Sequence, residues 1–307
     1  MEDLRDGKKL LAVLKPKTGT APAFGEIPFD TIIFNALISG SATAPTAQPK
    51  ILILCGPPGC GKSTVKTDLL AQNSIDAYIN IDPDEIRTIL MANGVTFPAD
   101  KTTMPGITNA FNKRMSDEAQ RQHLNIVFDT TGQNFKAVSD IIYSSGQLGY
   151  KSIFAIIYAS LETCQRRVQG RNQYLKDTNS GRIELPLDVA EGIYNGFMTK
   201  PRGTASMLLL DYPVRANEIY LYNNNVDGAK PEMLYHKVGP NVEFATNFPG
   251  FYNMNISDKA PYISLMRSGG KQRYSKKRSK RRRTKKRKIS KKQRNNKITN
   301  KRRISTR

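Results

Sequence analysis

The sequence predicts a three-layer α/β fold with a largely parallel sheet, followed by a disordered basic tail. Three observations predict it. Apolar runs of strand length alternate with helical stretches from residue 51 to about 224. A glycine-rich loop, GPPGCGKST, joins the first run to the first helix. Acidic residues stop at Asp258, whereas 22 of the 48 lysines and arginines lie from Arg267 to Arg307.

The elements follow in order. Within 1–49, read as an N-terminal extension, GEIPFDTIIFNALISG holds a short helix and SATAPTAQP a flexible connection. ILILC is the first strand, 62–73 a helix, and AYINI the second strand. Helices are expected over 84–93 and 109–124, the latter longer and polar. NIVFD is the third strand, with a helix from about 135 to 145. KSIFAIIYA is the fourth strand, LETCQRRVQGRNQYL a helix, LPLDVAEGIYNGFMTK another, and EIYLYNN the last strand. LYHKVG reads as only a weak strand. The core domain is placed at 50–240, an irregular extension at 241–267 and the tail at 268–307. The tail buries almost nothing and is expected to be disordered alone.

Composition sets limits. Outside residues 267–307, 26 basic residues balance 26 acidic ones, so net charge does not make the body a nucleic-acid binder. Cys55, Cys60 and Cys164 form no disulfide framework and no CxxC metal pattern, which fits a reducing compartment. The start does not read as a signal peptide, and no 18-residue apolar segment offers a membrane span. The expected location is intracellular, cytoplasmic or nuclear.

The glycine-rich loop carries the strongest chemical signal. Gly56, four residues, then Gly61, Lys62 and Ser63 match the P-loop pattern between a strand and a helix, which makes the fold a P-loop NTPase type. Its glycines let the backbone curl so that N–H groups face phosphate oxygens. The following helix adds the positive end of its dipole. Gly56, Pro57, Pro58, Gly59, Cys60, Gly61, Lys62, Ser63 and Thr64 are therefore expected to bind ATP. Lys62 suits the β and γ phosphates, and the Ser63 hydroxyl suits Mg²⁺.

Acids cluster after the next two strands. Ligands of α/β sheets collect at the carboxyl ends of the strands. Asp82 and Asp84 follow YINI there, where a carboxylate can take a proton from an attacking alcohol. Either aspartate also suits the cap of the next helix. Arg87, three residues on, suits substrate contact or a pair with Asp84. Asp129 ends NIVFD in the arrangement that orients Mg²⁺ or its water shell. After the fourth strand come Arg166, Arg167, Arg171 and Arg182, the residue type that clamps a moving phosphoryl group. Arg167 and Arg171 share a helix face; a solvated basic helix is the plainer reading.

These parts together resemble the zeta toxin-like kinases over about 50–240. GPPGCGKST, INIDPDEIR, NIVFDTTG, GRIELP and EIYLYNNN carry the resemblance, in order. It implies a phosphotransferase using ATP and Mg²⁺, with the hydroxyl of a nucleotide-activated amino sugar as acceptor. It implies Asp84 as the base, with Asp82 as a structural or Mg²⁺-side partner, and Arg171 and Arg182 as the phosphate clamp. It also implies a substrate-binding acid at Asp117 or Glu118. The histidine and proline usual after the paired aspartates are absent from IRTILMANG, so the acceptor stays open.

The tail, SKKRSKRRRTKKRKISKK, has three competing uses: holding nucleic acid through its phosphates, nuclear import, or simple solubilisation. Its composition is similar to tails on proteins of large DNA viruses. Tyr274 is the only aromatic after Tyr262, so stacking on bases is not suggested. Two alternatives to a small-molecule kinase therefore stand: a polynucleotide 5′-hydroxyl kinase, and a non-catalytic ATP-binding module on a nucleic-acid-binding tail.

Overall fold

The computed structural model describes residues 2–39, 45–100, 102–178, 184–199, 203–204 and 215–243. All of these fall in one compact unit, Met1–Asn253. Seven strands form one sheet: β1 (Ile38–Ser39), β2 (Lys50–Cys55), β3 (Tyr78–Ile81), β4 (Ile126–Thr130), β5 (Lys151–Tyr158), β6 (Arg215–Asn223) and β7 (Glu232–Glu243). Their order is β1-β3-β4-β2-β5-β6-β7. The five inner strands are parallel, and the two edges pair antiparallel. A mostly parallel sheet with helical connections is the P-loop NTPase architecture the sequence predicts.

β2 is apolar from Ile51 to Cys55 and fully buried, as a central strand covered on both faces must be. From β2 the chain moves to one side, to β3, then returns across β2 through β4, β5 and β6. The carboxyl end of β2 is therefore the switch point where an α/β sheet opens a crevice. Right-handed crossovers put α3 (Lys62–Gln72) on one face of the sheet. By the same rule α5 (Thr103–Arg121), packed on β3, and α6 (Phe135–Gln147), packed on β5 and β6, cross on the other. α7 (Leu161–Asp177) and α8 (Leu187–Thr199) pack on each other in the connection from β5 to β6.

Three expectations are corrected. The helix expected over 109–124 begins at Thr103. Asp100 starts it by accepting the N–H groups of Thr102 and Thr103 at 2.8 and 2.6 Å. Pro105 then falls in the first turn, where a missing N–H costs nothing. EIYLYNN is not the last strand: β7 pairs along β6 from Glu232 to Glu243 with two register shifts. As an edge strand it tolerates Gly239 and Pro240. The N-terminal region holds two helices rather than one, α1 (Gly7–Leu14) and α2 (Phe29–Leu37), and the edge strand β1.

That N-terminal region is tied to the body. The Gly7 N–H donates to the Thr96 carbonyl at 3.0 Å, and the Thr96 N–H to Arg5 at 2.8 Å. α1 packs on α5, where Gly106 lets Leu11 approach closely. α2 packs on α5 and on α4 (Pro83–Ala92). Asp30, fully buried, accepts hydrogen bonds from Nε and Nη2 of Arg114 of α5; Nη2 also donates to the Ala23 carbonyl and Nη1 to the Pro22 carbonyl. Among the described residues no helix is long and apolar enough to cross a membrane. The expected tail, most of the 241–267 extension and Arg182 lie outside the described residues.

Candidate active site

Because the inner strands are parallel, every segment that leaves a carboxyl end emerges on one rim. The phosphate loop follows β2, Asp82 and α4 follow β3, Asp129 is the penultimate residue of β4, α7 follows β5, and Asn224 follows β6.

The loop is held from several directions. The Gly56 N–H donates to the Thr130 carbonyl of β4 at 3.1 Å, and the Cys60 N–H to Pro57 at 3.2 Å. Gly59 and Gly61 have φ of 80° and 87°, the left-handed region that suits glycine. A Cβ at Gly59 would collide with the Cys164 backbone, and one at Gly61 with the Asn224 side chain. Asn224, buried, donates its Nδ2 to the Cys60 carbonyl at 2.9 Å. Arg167 donates Nη1 to the Gly59 carbonyl at 3.2 Å. Burial pushes the thiols of Cys55, Cys60 and Cys164 up to about 12, 11 and 12, so none is a nucleophile at neutral pH.

Lys62 opens α3. Its Nζ donates to the Gly56 carbonyl at 2.8 Å and lies 3.4 Å from the Asp129 carboxylate. Burial opposes its charge, but Asp129, Cys60 and Asp82 outweigh that and hold its pKa above the ordinary lysine value. Asp129 is raised to about 6, first by burial, then by Asp82, with Lys62 pulling the other way. Asp82 is raised as well, again mainly by burial, with the Asp84 N–H opposing and the Asp84 charge adding. Both carboxylates are largely removed from solvent on the rim that receives the phosphates, a setting where a divalent cation could share them. Magnesium usually takes one or two carboxylates plus substrate phosphates, and the exposed Ser63 hydroxyl adds a further oxygen. The residues present therefore fit Mg²⁺.

Asp82 and Asp84 are not equivalent. Asp82 is the N-cap of α4: its Oδ1 accepts the Asp84 N–H at 2.8 Å, and Pro83 takes the first helical position. Asp84 projects outward, with 65% of its side chain exposed, and meets Arg87 at 3.2 Å. Arg87 itself is only 18% exposed. Lys66 donates to Asn80 at 3.2 Å, Asn80 donates to Glu85 at 2.7 Å, and the Lys66 charge reaches both Asp82 and Asp129.

The other expected residues lie apart. Arg171 is exposed on α7, one turn beyond Arg167. Asp117 pairs with Lys113 at 2.5 Å on the surface of α5. Glu118 is buried and accepts from Arg121 and Gln122, and the Arg121 bond holds its pKa below the ordinary value. Neither acid is hydrogen-bonded to the phosphate loop or to residues 80–87. Both line a cleft of about 620 Å³ whose walls include Leu14, Pro22 and Phe24. The structure also brings in residues that were not foreseen. Asn224 on the Cys60 carbonyl, Asn225 accepting the Ser160 N–H at 2.5 Å, Asp227 on Arg167, and Lys66 with Asn80 lie on this rim, and the polar run YNNN at the end of β6 was the available sign of the first two.

Residues 51–191 match the family model described as AAA domain. The match begins in the strand before the P-loop and is in keeping with the resemblance to zeta toxin-like P-loop kinases. No curated protein matches the chain. Among solved structures, the PezAT chromosomal toxin–antitoxin system of Streptococcus pneumoniae is similar at 14% identity, over 64% of this chain and 74% of that one, with TM-score 0.46. The AvrRxo1-ORF1:-ORF2 complex with ATP gives 15% identity, 81% and 73% coverage and TM-score 0.47. The Pnkp1/Rnl/Hen1 RNA repair complex gives 19% identity, 51% and 46% coverage and TM-score 0.37.

Proposed function

We propose that the P-loop domain is a phosphotransferase of the zeta toxin-like kind, moving the γ-phosphate of ATP to a hydroxyl. The observation that carries this reading is the asymmetry of the two aspartates after β3. One oxygen of Asp82 caps α4 and its carboxylate is largely buried, while Asp84, the second residue of α4, stands exposed on the same rim as the phosphate loop. An ATPase has no need of an outward carboxylate there, whereas a kinase needs one to accept the alcohol proton.

The roles follow from chemistry. The loop N–H groups, the start of α3 and Lys62 hold the phosphates. Ser63 and Asp129, with Asp82 close by, would hold Mg²⁺, which would supply positive charge to offset that of the phosphates. Asp84 takes the acceptor proton as the oxygen attacks. Arg171 and Arg182 gather the charge that spreads over the moving phosphoryl group. Arg87, largely buried beside Asp84, suits an acceptor that carries an anionic group near its hydroxyl, as a nucleotide-sugar does. Asp117 or Glu118 is the proposed contact to a more distant part of that acceptor.

The basic run from Arg267 to Arg307 favours a second reading, a polynucleotide 5′-hydroxyl kinase whose tail recruits its substrate. Labelled ATP offered with nucleotide-sugars, and separately with 5′-hydroxyl DNA and RNA, decides between them. Label on the sugar supports the first reading; label on the oligonucleotide alone replaces it with the second. No transfer to any acceptor would leave an ATP-binding module.

A further inference from the structure

Outside the residues already given roles, one cluster on the rim combines charge, position and proximity to the phosphate loop. Asp227, in the hairpin between β6 and β7, takes two arginines of α7 on one carboxylate. Its Oδ2 accepts from Arg166 Nε and Nη2 at 2.9 and 2.6 Å, and its Oδ1 accepts from Arg167 Nε at 2.6 Å. Neighbouring helix positions diverge by about 100°, so this carboxylate is what draws the two guanidinium groups together. Arg167 simultaneously donates Nη1 to the Gly59 carbonyl, and that nitrogen lies 3.6 Å from where a Gly61 side chain would begin. Its charge therefore rests on the phosphate loop, offset only in part by Asp227, which Arg166 shares.

We propose that Asp227 is a positioning residue that parks Arg167 on the loop and releases it to the incoming polyphosphate. This rests on the reading that the P-loop binds ATP. The pair is exposed, Asp227 by 50% and Arg167 by 21%. An ion pair open to water is weak. A triphosphate offers the guanidinium several oxygens and more charge than one carboxylate, so the exchange favours the nucleotide. A parked arginine also keeps the loop's geometry ready and spares the empty site an unpaired cation.

The test is a double-mutant cycle on nucleotide binding in the full chain. Affinities for ATP, ADP and AMP are measured by calorimetry for wild type, Asp227→Asn, Arg167→Ala and the double variant, with melting curves as a check on folding. Asp227→Asn is expected to bind ATP about five-fold more tightly, with a smaller gain for ADP and none for AMP. Arg167→Ala is expected to bind ATP more weakly, and the gain from Asp227→Asn is expected to vanish in its background. An equal gain in both backgrounds overturns the proposal, because the effect is then general charge. Weaker or unchanged ATP binding by well-folded Asp227→Asn also overturns it. Phosphate transfer is scored separately. A chain that shows the cycle but transfers nothing refutes the kinase reading alone; one that transfers without the cycle refutes the parking role alone.

Discussion

The two flanks of the phosphate loop are built differently. On the β5–β6 flank the loop is braced by Asn224 on the Cys60 carbonyl and by the Cys164 backbone against Gly59, with Arg167 parked beside them on the Gly59 carbonyl. On the β3 flank the helix start is capped, but Asp84 reaches into solvent. The difference teaches a division of labour. Nucleotide phosphates are the same in every turnover, so their cradle is preorganised and rigid. The acceptor must enter and leave, so its flank keeps an exposed carboxylate and a cation beside it.

The largest effect is expected at the open flank. Asp84→Asn should slow transfer by about a hundred- to ten-thousand-fold while ATP affinity holds; single-turnover rates and calorimetry measure the two. A variant that transfers at the wild-type rate would move the base to Asp82 and dissolve the contrast between the flanks. Gly61→Ala attacks the braced flank. It forces a side chain into φ of 87° and into Asn224, so ATP binding should fall by more than about ten-fold, with about 1–3 kcal/mol of strain. Retained ATP affinity there would mean the brace is dispensable. Asn224→Ala leaves the Cys60 carbonyl without its donor and should cost about 1–3 kcal/mol in a urea titration. The smallest effect is expected for Arg87→Gln. Its pair with the exposed Asp84 contributes little, so stability should move by under about 0.5 kcal/mol, again read by urea. A larger loss would show that the open flank is braced too.

What was legible in the sequence was local. ILILC, NIVFD and KSIFAIIY announce buried strands by composition alone, and GPPGCGKST needs only its neighbours to declare a phosphate loop. Asp82 followed by Pro83 is a cap written in two residues. What was not legible depends on partners far along the chain. Asn224 meets Cys60 across 164 positions, and Arg114 meets Asp30 across 84. α1 is eight residues long and is settled by packing on α5 rather than by its own propensity. β7 showed only as the weak run LYHKVG because an edge strand accepts glycine and proline that a central one rejects. Arg171 shows the limit for the site: helical spacing joins it to Arg167, yet only Arg167 reaches the loop.

The contact between Asn224 and Cys60 also sets a clock. During synthesis the glycine-rich loop leaves the ribosome long before the asparagine that finishes it. At ribosomal speed the interval is on the order of ten seconds. Throughout it the nascent chain carries a nucleotide-binding motif without its brace, and cellular ATP meets a loop not yet set to grip it. Completion of the loop therefore waits on β6 and the asparagine that follows it.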